Sequence, residues 1–272
     1  MLSILGKSGI TALVVLALVA PATGAQANRP VANHEFVPIH PAHLQLEAIE
    51  IDLDPIDEPD QEPEAATEPK TEAATDCDLV PCIALTFDDG PHQNTLKILA
   101  SLKKAAAKAT FFVVGSAVRS NPEIALQIVS QGHEIAAHSN THKNLAGLSK
   151  KALRQDFSIT NKTIEKATGF EPKLFRPPFG SHTSQVRQHA NLPVVMWSVD
   201  PQDWRVRSSR AIAKAVLNQA TPGAIVVLHD PLTATSNALP TILRELGAQG
   251  YHFVTVSELL GETEPGKVYR SR

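Results

Sequence analysis

The chain has 272 residues, 43% of them hydrophobic and only 5% aromatic, with two cysteines and a formal charge of −3. That length allows one large domain or two small ones. The apolar fraction excludes wholesale disorder and collagen-like repeats, and two cysteines exclude a disulfide-dense mini-scaffold.

In chain order, the first element is an export signal. Lys7 precedes an apolar run from Ile10 to Ala20, and Ala25-Gln26-Ala27 offers a small-residue cleavage site. A positive start, a short apolar stretch and small residues at the cut are the pattern of a secretory signal peptide over residues 1–27. The apolar core is short of the ~20 residues of an unassisted membrane span; an uncleaved membrane anchor is the competing reading. Residues 28–76 then hold 13 acids against two bases, seven prolines and no glycine. Such a segment buries too little apolar surface to offset its ordering entropy, so it is expected to be a mostly disordered acidic tail. Leu44, Leu46, Ile49, Ile51 and Leu53 nearly alternate with polar residues and are the exception. From residue 77 onward the balance reverses, to 15 acids against 22 bases. A positive body suits an anionic polymer or surface, although diffuse charge also serves solubility alone. Cys77 and Cys82 stand at the start of this body, and in an exported protein two nearby thiols are expected to form a disulfide.

The body, 77–265, alternates strand-like and helix-like stretches. Strands are predicted at 83–87, 110–114, 134–137, 174–176, 194–199, 225–228 and 253–256, and helices at 93–108, 122–131, 149–167, 208–219 and 237–248. The first helix puts Leu96, Leu99, Leu102 and Ala106 on one face, and Asn121-Pro122-Glu123 is a good helix start. The alternation predicts an α/β domain with a largely parallel sheet. Pattern alone leaves open a closed barrel or an open doubly wound sheet.

Residues able to do chemistry gather at the carboxyl ends of these strands. Asp88-Asp89 follows the first, His138 the third, Arg176 the fourth, Asp200 and Asp203 the fifth, and His229 the sixth. In parallel α/β folds those ends form one rim, where active sites lie. Asp88 and Asp89 precede Gly90-Pro91, a turn able to bring both carboxylates to the rim; a solvated turn is the bland alternative. His138 and His142 are spaced so that one helical turn or a tight loop sets both imidazoles on one side. Two His and a carboxylate are a recurring ligand set for catalytic divalent ions. Arg176 begins Arg-Pro-Pro-Phe-Gly, a stiffened loop suited to orienting a carboxylate, or else carries a surface salt bridge. Trp204 beside Asp203 suits stacking on a sugar or capping the core. A lone buried-strand His such as His229 is most often structural.

Taken together, Thr86-Phe87-Asp88-Asp89-Gly90-Pro91, His138-Ser139-Asn140-Thr141-His142, Arg176-Pro177-Pro178-Phe179-Gly180, Asp200-Pro201-Gln202-Asp203-Trp204 and Val226-Val227-Leu228-His229 resemble, in order, the motifs of the polysaccharide deacetylase family, carbohydrate esterase family four, with its NodB-homology domain. The resemblance covers about residues 80–260 and implies a distorted (β/α) barrel, commonly of seven strands. It implies Asp88 as catalytic base and Asp89, His138 and His142 as ligands of one divalent metal ion, zinc by preference, with cobalt or another divalent ion as alternatives. Arg176 would orient the base. His229 would be the general acid, tuned by Asp203, with Asp200 the competitor for that role. Phe179, Trp204 and Val227 would line the acetyl pocket; Phe179 departs from the tyrosine often found there. The implied reaction is hydrolysis of N-acetyl groups on a polysaccharide, peptidoglycan favoured over chitin, by a secreted or wall-associated enzyme. Acetyl-xylan esterase and a non-catalytic wall-binding protein are the alternatives. A nucleic-acid partner and stable membrane insertion after cleavage are not expected, and the protein is expected to be a monomer.

Overall fold

The computed structural model describes residues 75–272. The signal segment 1–27 and nearly all of the acidic segment 28–76 therefore lie outside the described residues. In chain order the elements are β1 (Cys82–Asp88), α1 (Gln93–Lys104), β2 (Thr110–Val113), α2 (Gly115–Ser120), α3 (Pro122–Ser130), β3 (Glu134–Ala137), α4 (Lys150–Thr168), α5 (Ser184–Ala190), β4 (Val194–Val195), α6 (Ser209–Gln219), β5 (Ile225–His229), α7 (Thr233–Ala248), β6 (His252–Phe253), α8 (Val256–Leu260) and β7 (Val268–Tyr269).

Parallel pairing runs β3–β2–β1–β5. Single parallel pairs carry it onward, joining Ala137 to Phe175, Phe175 to Val194, and Val199 to Val226. The ladder thus returns to β5 and closes a ring, while β6 pairs with the first residues of β1. The fold is a distorted (β/α) barrel: six of the seven predicted runs form the closed ring and the seventh, β6, adds to it through β1.

Three runs are shorter than their pattern suggests by two residues or more, each for a local reason. At 174–176 only Phe175 is paired in register on both sides, because Pro177 lacks the N–H to continue the ladder. The 194–199 run breaks after Val195, where the carbonyls of Val195 and Met196 turn to accept from Arg176. The last run ends at Phe253 because Thr255 caps α8 with Glu258 reaching back to its N–H. Helices α2, α5 and α8 are too short to show periodicity and were not expected from the sequence. Past residue 265, β7 pairs with β4, and Arg272 N–H donates to the Gly223 carbonyl. No helix among the described residues is long and apolar enough to cross a membrane.

Alternation along β1 builds the two sides of the barrel wall. Ile83, Leu85 and Phe87 join the larger core with Ile98 and Leu99 of α1 and Leu239 of α7. Cys82 and Ala84 join a smaller core with Phe112, Ala136, Leu174, Val195 and Ile225. Thr86 and Asp88 continue this second face and are buried, so the same alternation that packs the wall delivers a carboxylate to the rim. A disulfide joins Cys77 to Cys82 at the opposite, amino-terminal end of β1.

Candidate active site

Arg176 fills the barrel interior beneath the rim and is fully buried. Its Nη1 donates to Asp88 Oδ1 and to Thr86 Oγ1, each at 2.7 Å. Nε and Nη2 donate to the Val195 and Met196 carbonyls at 3.1 and 3.0 Å. The guanidinium carbon lies 4.0 Å from the centroid of the Phe112 ring. The surface salt bridge considered from the sequence is thus overturned: this is a buried ion pair made through one guanidinium nitrogen and one carboxylate oxygen. It leaves Asp88 Oδ2 outside the pairing, 3.9 Å from His138 Nε2, in a residue that lines the cavity.

Asp89 leaves the strand geometry. Its φ of 74° is left-handed, which turns its side chain away from the alternation and toward the imidazoles. Asp89 Oδ1 lies 3.1 Å from His142 Nε2 and 3.5 Å from His138 Nε2. The histidines reach it through a tight loop rather than a helical turn: Ser139 and His142 both have positive φ, and Ser139 Oγ accepts from the His142 N–H at 2.9 Å. His138 Nδ1 sits 2.7 Å from the Arg176 carbonyl, a contact that requires the proton on Nδ1 and leaves the Nε2 lone pair free. Burial pushes the His142 imidazole below its ordinary value, with Asp89 opposing and His138 reinforcing the shift.

One donor atom from each of the three residues lies within 4.8 Å of the others, and Asp89 Oδ1 is buried without a hydrogen bond among the described residues. Converging lone pairs with no proton between them repel unless a cation joins them. An oxygen and two imidazole nitrogens form the donor set of a divalent transition-metal site with positions left open. The residues present fit such an ion.

Across the cavity, His229 Nδ1 is 2.7 Å from Asp203 Oδ1. Asp203 Oδ2 accepts from the His229 N–H at 2.8 Å and from Thr235 Oγ1 at 2.6 Å. Burial lowers the His229 pKa, but the Asp203 hydrogen bond and charge, aided by Asp88 and Asp89, outweigh it and carry it up to about 9. Asp200 is not the partner: its Oδ1 accepts from the Gln202 N–H at 2.7 Å, folding the turn that precedes Asp203.

Asp88, Asp89, His138, His142 and His229 face one cavity of about 530 Å³, walled by Phe179, Trp197, Trp204 and Val227. Arg176 and Asp203 stand behind it. Phe179 and Trp204 are 70% and 58% exposed, so neither packs in the core. Phe179 meets the His142 ring edge-on at 4.8 Å and has a positive φ of 59°. Gly180 has a φ of 66°, in the region that favours glycine, and a Cβ there would also crowd Met196 Cε at 2.9 Å. The sequence reading missed Thr86, Trp197 and Thr235. Only Trp197, an aromatic at the end of the 194–199 run, carried a local signal.

The family model for polysaccharide deacetylases matches residues 76–193. A peptidoglycan-N-acetylglucosamine deacetylase of Bacillus cereus is 41% identical over 187 residues, covering 65% of this chain and 87% of that protein. The chain belongs to the polysaccharide deacetylase family. A second member, the peptidoglycan-N-acetylglucosamine deacetylase PgdA of Listeria monocytogenes, is 42% identical over 189 residues, covering 69% of this chain. The polysaccharide deacetylase match spans only 41% of that longer relative. Among solved structures of the family, an acetyl xylan esterase from Clostridium thermocellum in complex with a cobalt ion superposes with a TM-score of 0.67. It is 36% identical, over 70% of this chain and 98% of that one.

Proposed function

We propose that this protein is a metal-dependent hydrolase that removes N-acetyl groups from an amino-sugar polysaccharide, releasing acetate, with peptidoglycan preferred over chitin. The observation that carries this reading is the pairing of two differently prepared groups across one cavity: Asp88, held by Arg176, and His229, held by Asp203. They flank the Asp89–His138–His142 cluster, which would hold the ion, zinc by preference. When bound there, a divalent ion supplies Lewis-acid activation of water and of the acetyl carbonyl.

The chain's own residues then divide the proton work. Asp88 Oδ2 accepts a proton from the attacking water, while Oδ1 stays anchored on the guanidinium so the carboxylate cannot rotate away. His229 has Nδ1 committed to Asp203, so its Nε2 proton is the one available to the departing nitrogen. Cleaving the C–N bond leaves acetic acid and a free amine, the proton taken by Asp88 balancing that given by His229, and the acid then ionises to acetate, its proton passing to the amine or to solvent. Phe179, Trp204 and Val227 supply apolar walls for the acetyl group and the sugar ring.

Peptidoglycan is preferred because two similar proteins are named for it, because the body is basic, and because residues 1–27 read as an export signal. The working organisation is that signal, an acidic tail over 28–76 and a catalytic domain beginning near Cys77, in a secreted or wall-associated monomer. Acetyl-xylan hydrolysis is the second reading, favoured by the likeness to the Clostridium esterase. Acetate assay of the purified chain on peptidoglycan, chitin oligomers and acetylated xylan tests both. Release from an amino-sugar polymer supports the first, release from xylan alone the second, and release from none contradicts both.

A further inference from the structure

One buried carboxylate beside the site has no part in the chemistry above. Asp230 follows His229 and is completely buried. Its N–H donates to the Asp88 carbonyl at 2.9 Å. Both of its carboxylate oxygens lie within hydrogen-bond reach of the Thr95 hydroxyl, at 2.7 and 2.8 Å. Thr95 belongs to the first turn of α1, where its Oγ1 also accepts from the His92 N–H. Asn94, beside it, donates to the Pro231 carbonyl at 2.7 Å. The segment after β5 is therefore stitched to the start of α1.

The Asp89-Gly90-Pro91 turn lies on this stitch. A Cβ built on Gly90 would stand 2.3 Å from Asp230 Oδ2 and 2.7 Å from its carboxyl carbon. Gly90 has no positive φ to require glycine; it is glycine because the Asp230 carboxylate occupies the space of any side chain. The turn immediately before it holds Asp89 in the left-handed region, a conformation costing of order 1 kcal/mol or more that persists only when surroundings enforce it. The Val114 N–H bonds the Gly90 carbonyl at 2.9 Å from the β2 side. Asp230 supplies the opposing surface.

We propose that Asp230 is a positioning residue: its carboxylate, braced by Thr95, is the floor on which Gly90 rests, and it holds Asp89 with its oxygen turned toward His138 and His142. This rests on the reading of Asp89 as a metal ligand. Residues that orient a ligand typically change metal affinity by about 10–100-fold when removed.

The test is Zn²⁺ affinity by competition with a chromogenic chelator, alongside thermal unfolding of the metal-free chains. Asp230→Ala is expected to weaken Zn²⁺ binding about 10–100-fold, and Asp230→Asn, which keeps the shape and an acceptor for Thr95, to restore most of it. Thr95→Val, which removes the brace on Asp230 together with the bond to the His92 N–H but alters no ligand, is expected to weaken binding by a smaller factor and covers the case in which Asp230→Ala fails to fold. Gly90→Ala is expected to weaken binding strongly in the natural chain and much less in the Asp230→Ala background. Lower thermal stability with unchanged Zn²⁺ affinity in Asp230→Ala and Thr95→Val, or an equal Gly90→Ala loss in both backgrounds, overturns the proposal. Asp89→Asn is the control: if it too leaves Zn²⁺ affinity unchanged, the metal reading fails instead.

Discussion

Asp89 and Glu134 are carboxylates at opposite ends of the same barrel, and their surroundings treat them in opposite ways. Glu134, at the amino-terminal end of β3, accepts from Thr110 Oγ1 at 2.7 Å, from the Ser257 N–H at 3.2 Å and from the Ser257 hydroxyl. Each of its oxygens is occupied, and the bonds tie β2, β3 and the start of α8 together. Asp89, at the carboxyl-terminal rim, presents a buried oxygen to two imidazole nitrogens and accepts no hydrogen bond from the described residues. A satisfied carboxylate is a fastener, whereas an unsatisfied one facing lone pairs is a site waiting for a cation. The difference separates the two ends by function more sharply than burial does.

The largest effect that would break this contrast is on turnover. We expect His229→Gln to lower kcat by about 10²–10⁴-fold, the usual worth of a general acid, without changing metal content. The pH profile sharpens the same point. His229 is raised to about 9, so the protonated donor is present below that pH and lost as pH rises through it. Asp203→Asn removes the main raising influence and leaves burial to dominate, so the alkaline limb of kcat/KM should move to lower pH. A limb that stays put would detach Asp203 from the acid.

Next in size is the buried pair beneath the rim. Arg176→Met leaves Asp88 buried without its counter-charge, a change expected to cost about 3–5 kcal/mol in urea unfolding. A loss under 1 kcal/mol would mean that the pair is not desolvated as the structure has it. Smallest is the fastener itself. Glu134→Gln converts one acceptor oxygen to an amide and should cost about 1–3 kcal/mol of stability. Acetate release by the folded fraction should be unchanged. Loss of turnover without loss of stability would erase the distinction between the two ends.

The rim was legible in the sequence because parallel strands deliver their last residues to one face. Asp88, His138, Arg176 and His229 each sit at the end of a predicted run, and the structure brings them together. What local pattern could not show was pairing. Asp200 and Asp203 stand three residues apart in the same loop, and only the fold determines that one closes a turn on Gln202 while the other turns inward to His229. Thr86, Thr235 and Asp230 were invisible for the same reason. Their partners lie between 32 and 140 residues away, and a threonine on an apolar strand or an aspartate after a histidine carries no periodic signal. The strand at 194–199 was read as longer than it is because side-chain pattern does not register backbone carbonyls diverted to an arginine, and that at 174–176 because Pro177 cannot continue its ladder. Strand β7 has two residues, too few for any alternation.

The central claim is that adjacent carboxylates have separate tasks, Asp89 binding the ion and Asp88 accepting a proton. The direct measurement is metal content by elemental analysis together with acetate release for Asp88→Asn and Asp89→Asn. We predict that Asp88→Asn keeps its metal and turns over about 10²–10⁴-fold more slowly at any metal concentration. Asp89→Asn should lose metal and recover part of its activity when metal is supplied in excess. Equal metal loss in both variants would make Asp88 a ligand as well, and metal loss confined to Asp88→Asn would show the two roles exchanged.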